Sequence, residues 1–170
     1  IYVLEAGGNH AFKFADANWA AVNLGYNDVT VSDEGVAITD DGGNMRVNVD
    51  KSTTYKFEVS YATANPVVKV SQASIYLRGG ITATGWDAGE GNQFGFIASD
   101  AANTAEASHT YSLEVVYAGG GAEFKIADEA WGGSLGYNYG VEVAGSAVEL
   151  GVPLTLVGSN NNIKIDIPAG

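Results

Sequence analysis

The 170-residue chain has no cysteine, two histidines and eight basic residues against twenty acidic ones. Without cysteine there are no disulfides, no thiol nucleophile and no thiolate metal site. The formal net charge of −12 repels phosphate backbones and anionic lipid surfaces, so no nucleic acid partner is expected, anionic membrane surfaces are disfavoured, and a neutral ligand or a cation stays open. An acidic surface also keeps a protein soluble, which is the simpler meaning of that charge. No apolar run has the length of a membrane span. There is no GxSxG elbow, no phosphate loop and no HExxH, so the chain is expected to be non-catalytic and to use no cofactor. The chain opens on Ile1, which reads as a processed product or a fragment. The expected location is outside the cell, secreted or on a bacterial surface.

What is present is apolar content of 46%, enough for a real core, and twenty-three glycines. Apolar and polar residues alternate in Met45-Arg46-Val47-Asn48-Val49, in Tyr55-Lys56-Phe57-Glu58-Val59 and in Ile163-Lys164-Ile165-Asp166-Ile167. Period two means strands with one buried face. Turn-forming clusters separate them, such as DDGGN at 40–44 and GSNNN at 158–162. The pattern predicts an all-β fold built as an immunoglobulin-like antiparallel β-sandwich.

The chain also repeats itself. AFKFADANW at Ala11–Trp19 returns as EFKIADEAW at Glu123–Trp131, each followed by LGYN, at Leu24–Asn27 and Leu135–Asn138. Tyr2-Val3-Leu4-Glu5 matches Tyr111-Ser112-Leu113-Glu114, and Asn44-Met45-Arg46-Val47 matches Asn162-Ile163-Lys164-Ile165. Two related modules are expected, 1–73 and 74–170. The first lacks its opening strands, and the second lacks closing strands of the Tyr55–Val70 kind. Three accounts compete: a cut from a longer array, completion by the other half of the chain, or strand exchange between neighbouring copies.

In Phe12-Lys13-Phe14 and Phe124-Lys125-Ile126, alternation puts the apolar residues inside and both lysines outside. Trp19 and Trp131 follow in polar turns. There each tryptophan either caps the open end of a sandwich or presents a flat ring for stacking. Asp40-Asp41-Gly42-Gly43-Asn44 reads as an Asx-rich turn rather than a calcium loop, so no metal is expected. His10 and His109 read as solvated, and paired carboxylates such as Asp33-Glu34 as turn residues.

IYLRGG-ITATGWD, then TYSLEVVYAGGGAEFKIADEAW, then GSNNNIKIDI, resembles bacterial starch-binding modules: the glycogen-binding carbohydrate-binding modules, the accessory β-sandwiches of amylases and pullulanases, and starch-binding lipoproteins. The likeness covers Ile75–Ile167 and, in part, Tyr2–Val70. It implies an α-glucan partner lying across two tryptophans, Trp86 and Trp131, with hydroxyl contacts from Lys125, Asn161, Ser159 and Asn162. In the first copy it implies Lys13 and Trp19, without a Gly-Trp partner and with Gly43-Asn44 in place of Asn161-Asn162. The second copy is therefore expected to be the fuller site. Tyr26, Tyr137 and Tyr139 are flanking candidates. An attached catalytic domain, or neighbouring copies, are expected partners. The rival reading is an extracellular surface or filament protein of immunoglobulin-like repeats, its tryptophans packed between modules.

Overall fold

The computed structural model describes residues 1–99, 108–133 and 135–168. The last two residues of the expected second module, and 100–107 and 134 within it, lie outside the described residues. Strand occupies 42% against 4% helix, the helix being two short 3-10 turns at Tyr26–Asp28 and Glu90–Asn92. The protein is all-β, as the period-two patterning requires. Two compact units partition the chain. The first comprises Ile1–Ala73 with Ala98–His109, the second Ser74–Ile97 with Thr110–Gly170.

The first unit holds β1 (Tyr2–Leu4), β2 (His10–Phe12), β3 (Phe14–Ala15), β4 (Asn23–Leu24), β5 (Thr30–Val31), β6 (Ile38–Asp41), β7 (Asn44–Val47), β8 (Thr53–Ser60) and β9 (Val67–Gln72). One sheet runs β1-β8-β9-β5, another β2-β7-β6, and β3 pairs β4. All these pairs are antiparallel except β5 with β9, which is parallel. Thr-Thr-Tyr and Val-Val-Lys-Val give β8 and β9 the branched and aromatic side chains a half-buried pleat favours. Met45, Val47, Tyr55, Val68 and Val70 are the most deeply buried members of its core, with Phe12, Phe14 and Phe57 packed against it.

The Asp40–Asn44 segment is a hairpin turn. Asp41 faces Asn44 across the β6–β7 pair, and Gly42 and Gly43 both have positive φ, 63° and 90°. Both central residues of a tight primed turn need that conformation, hence the Gly-Gly. Asp40 Oδ1 accepts from the Gly43 N–H at 2.8 Å, and Asp41 pairs with Arg46 at 2.6 Å, so both carboxylates serve the hairpin.

The second unit holds β10 (Tyr76–Gly79), most of β11 (Gly95–Ser99) and of β12 (His109–Ser112), then β13 (Gly120–Ala127), β14 (Asn138–Gly140), β15 (Val157–Gly158) and β16 (Ile163–Ile167). Strand β13 is central: β10 lies along one edge, while β14 and β16 share the other. The shared partners fix this, since Ile126 faces both Leu77 and Tyr139, and Phe124 faces both Gly79 and Ile163. Strands β11 and β12 pair with each other. Leu77, Ile81, Val141 and Ile163 are buried.

The repeat is realised in three dimensions with one change of phase. Phe12 pairs with Met45 as Phe124 pairs with Ile163. Phe14 pairs with Leu24, however, while Ile126 pairs with Tyr139. The matching stretches are thus Val22-Asn23-Leu24-Gly25 and Tyr137-Asn138-Tyr139-Gly140. The two LGYN phrases stand four positions out of register. Close approach explains why the glycines align. A Cβ on Gly25 meets the Gly43 carbonyl oxygen at 2.1 Å, and one on Gly140 meets the Asn161 carbonyl oxygen at 1.8 Å.

Candidate functional site

The repeated Asp-x-x-Trp phrase builds the same turn twice, and the aspartate organises it. Asp16 Oδ1 accepts from the N–H groups of Asn18 (3.2 Å) and Ala20 (2.9 Å), and Oδ2 from Ala21 (2.9 Å). Asp128 Oδ1 accepts from Ala130 (3.0 Å) and Gly132 (2.7 Å), and Oδ2 from Leu135 (2.7 Å) and Tyr137 (3.2 Å). The ends close alike: Asp16 N–H donates to the Val22 carbonyl at 2.9 Å, and Asp128 N–H to the Tyr137 carbonyl at 2.8 Å. Asp128 is fully buried. Burial alone raises its pKa, but the four backbone donors together outweigh this and hold it below the ordinary value. The donors from Ala20 and Ala21 lower that of Asp16.

Each turn then carries its tryptophan in an unusual backbone state. Trp19 has φ 59° and Trp131 has φ 54°, the only positive values among the described non-glycine residues. A bulky residue in the left-handed region costs on the order of 1–3 kcal/mol, which glycine avoids. The cost is not recovered by full burial, since Trp19 is 59% exposed and Trp131 38%. Backbone economy favours glycine at both positions, so the reason for tryptophan lies in its side chain. The strained turn lifts an indole out of the surface at the same place in both copies.

In the second copy the ring is part of a stack. Trp86 lies 6.1 Å from Trp131, centroid to centroid, with the planes tilted by 37°. Beneath them the guanidinium of Arg78 sits 3.7 Å from the centre of the Trp131 ring. Arg78 is buried; its Nε donates to the Trp86 carbonyl at 2.7 Å, and its Nη1 to the carbonyls of Asp128 (3.1 Å) and Glu129 (3.2 Å). One arginine thereby ties the two tryptophan turns together. Sequence reasoning passed over Arg78, although an arginine inside the apolar strand Tyr76-Leu77-Arg78-Gly79 is itself a signal that a buried polar partner exists.

The polar candidates of this copy are largely engaged in the frame. Lys125 is not outside, as alternation suggested, but buried at 4% exposure. Its Nζ donates to the Ser159 carbonyl, and burial lowers its pKa. It is the cross-strand neighbour of Arg78, on the face that the tryptophan turns cover, and that cover is what a strand-by-strand reading misses. Asn161 Nδ2 donates to the carbonyls of Val141 (3.2 Å) and Glu142 (3.0 Å), and the Asn161 N–H donates to Ser159 Oγ at 3.0 Å. Asn162 Nδ2 donates to Glu123 Oε2 at 2.9 Å. Tyr137 and Tyr139 pack against each other at 5.6 Å.

The first copy differs. Lys13, Trp19, Asn23 and Asn44 line a shallow hollow of about 350 Å³, with Ala11 and Phe12 beside them. Asn44, which the sequence placed in a weaker copy, stands here with both the lysine and the tryptophan. Asn23 was not foreseen, because the LGYN phrases hid its equivalence to Asn138. Tyr26 lies away from this hollow, packed against the core of the first unit.

His10 Nε2 donates to the Glu5 carbonyl at 2.7 Å. Among the described residues no group of three His, Asp or Glu converges as metal ligands, and no helix is long and apolar enough to cross a membrane. Comparison with protein-family models, with curated proteins and with solved structures returned no match.

Proposed function

We propose that the protein is a non-catalytic carbohydrate-binding protein of two related immunoglobulin-like sandwich modules, taking an α-glucan such as starch, glycogen or maltooligosaccharides. The observation that carries this reading is the pair of exposed indoles held in the left-handed region, Trp19 and Trp131. Strain of this kind persists where the surroundings enforce it and the side chain has a use. A flat indole offers the apolar C–H face of a pyranose a large contact area at little conformational cost.

The tilt between Trp86 and Trp131 favours a curved chain over a flat one. Successive glucose rings of an α-glucan turn relative to one another, and two planes inclined by 37° follow that turn. In the first copy, the Lys13 ammonium and the amides of Asn23 and Asn44 supply hydroxyl partners around Trp19. The second copy thus works mainly as an aromatic platform and the first as a ring with polar partners. Such a protein works outside the cell, where polysaccharide is met, attached to a catalytic domain or beside copies of itself.

Native electrophoresis in gels with amylopectin, dextran or xylan tests this. Retardation in amylopectin alone is expected, and it should weaken in Trp131→Ala while circular dichroism stays unchanged. Equal migration in every gel, or unfolding of Trp131→Ala, would remove the reading.

A further inference from the structure

The two copies differ at one edge of their shared central strand. In the second unit β13 runs unbroken over Gly120–Ala127, with β10 along its Phe124–Ala127 edge. The equivalent stretch of the first unit is broken at Lys13 into β2 and β3. Strands β7 and β4 occupy the edge that β16 and β14 take in the second unit. Among the described residues no strand lies on the other edge, where β10 would be.

That edge is ready for pairing. Gly80 N–H donates to the Glu123 carbonyl at 2.9 Å, so Lys125 and Ala127, two and four residues on, turn their backbone toward β10. By the repeat, Lys13 and Ala15 turn theirs to the open edge. Consistently, Asp16 rather than Ala15 bonds to the β4 side, through Val22. Beside the edge, Tyr2, Leu4, Phe12, Phe14 and Phe57 line an apolar hollow of about 410 Å³. Its rings meet edge to face, Tyr2 with Phe57 at 5.8 Å and Phe12 with Phe57 at 4.9 Å.

Charge decides what fits. In the second unit Arg78 faces Lys125 in register, lies on the Trp131 ring and donates to the carbonyls of Asp128 and Glu129. The first unit keeps the matching aspartate, Asp16, and the matching ring, Trp19, but has no arginine for them. Of the two arginines in the chain, the other is Arg46, bound to Asp41.

We propose that the first unit binds an extended strand of a separate polypeptide by antiparallel addition to the Phe12–Ala15 edge. That strand has the chemistry of Ile75–Gly80: aliphatic side chains at alternate positions, an arginine after the second, then Gly-Gly. The register follows from the second unit. The arginine stands opposite Lys13 with its guanidinium toward Trp19 and Asp16. The two aliphatic side chains enter the aromatic hollow, and the first glycine passes Phe12. At that step a Cβ would strike backbone, as one on Gly79 would meet the Glu123 carbonyl oxygen at 2.2 Å. Main-chain hydrogen bonds supply affinity and the alternate pockets supply selectivity. This surface shares Lys13 and Trp19 with the glucan reading, but its main-chain pairing along Phe12–Ala15 does not depend on that reading.

The test is titration of the full chain with the synthetic peptide Ser-Ile-Tyr-Leu-Arg-Gly-Gly-Ile, followed by calorimetry and backbone amide NMR. Saturable binding is expected, with the largest shifts at the Lys13 and Ala15 amides. The peptide carrying L77D should not bind, a control that leaves the protein untouched. Ala15→Pro removes an N–H aimed at the open edge, a place where edge strands accept proline, and should weaken binding by about 10-fold or more. Its retardation in amylopectin should persist, so failure of one proposal is visible apart from failure of the other. Three results would overturn this one: no saturable binding, equal binding by Ala15→Pro, or self-association of the chain that Ala15→Pro abolishes, which makes a second copy the occupant.

Discussion

At the scale of single residues, the two tryptophans set backbone strain against side-chain use. Glycine relieves the left-handed strain and alanine does not. Trp19→Gly is expected to be more stable than Trp19→Ala by about 1 kcal/mol in urea unfolding, with glucan retardation weakened equally in both. A stability order of alanine above glycine would mean that the turn does not hold φ near 59°. The buried Asp128 carries the second residue-scale expectation. Its folded pKa is depressed, so its stabilisation is present above the unfolded value, near 3.8, and is lost as pH falls through the lower folded value. Asp128→Asn removes charge-assisted bonds and should cost roughly 2–3 kcal/mol at neutral pH. The gap between wild type and variant should close below the ordinary aspartate value, and a gap independent of pH would mean the carboxylate is not the stabilising form.

At the scale of elements, the packing of one backbone on another fixes the composition of short strands. Gly140 ends β14 where the strand passes the Asn161 carbonyl, and backbone cannot give way as a side chain can. Gly140→Ala should cost roughly 3 kcal/mol or more and disorder the β14–β15 pair. Gly91→Ala, where an added Cβ meets nothing within 4 Å, should change stability by no more than about 0.5 kcal/mol. Equal effects in thermal melts would show that the crossing is looser than its geometry. The same crossings explain what the sequence concealed. Leu-Gly-Tyr-Asn looked like a conserved anchor of the repeat, yet the structural match is Val22–Gly25 with Tyr137–Gly140. Letters recur by composition; the glycine stays where a carbonyl passes. The hairpin at Asp41-Gly42-Gly43-Asn44, by contrast, was legible, because a primed turn has few permitted residues.

At the scale of the whole molecule, two ring-bearing turns on one chain suit a repeating ligand. Two weak sites on one polymer bind more tightly together than either alone. Losing one tryptophan should weaken amylopectin binding by about 10-fold or more, and Trp19→Ala with Trp131→Ala should abolish it. A short maltooligosaccharide, too small to span two sites, should show no such synergy in calorimetry. Independent losses on both ligands would mean that the two copies do not act on one chain. The net charge of −12 neither helps nor hinders a neutral glucan, so this binding should depend little on salt.

The sequence by itself determined the β class, the repeat and the hairpin turns, because strand period, turn chemistry and copied phrases are local properties. It also marked the paired tryptophans, since a residue kept twice in a polar turn stands out. Tertiary structure decided the rest. Lys125 alternates as a surface residue, yet turns from elsewhere in the chain cover its face and bring the Ser159 carbonyl to it. Arg78 belongs to the site only because β10 lies beside β13 and carries it under Trp131. The edge of the first unit that no described strand pairs is visible only by comparing pairings in space. Which face is covered, and which edge is left, depends on contacts between distant segments, and those are not written in the pattern of any one strand.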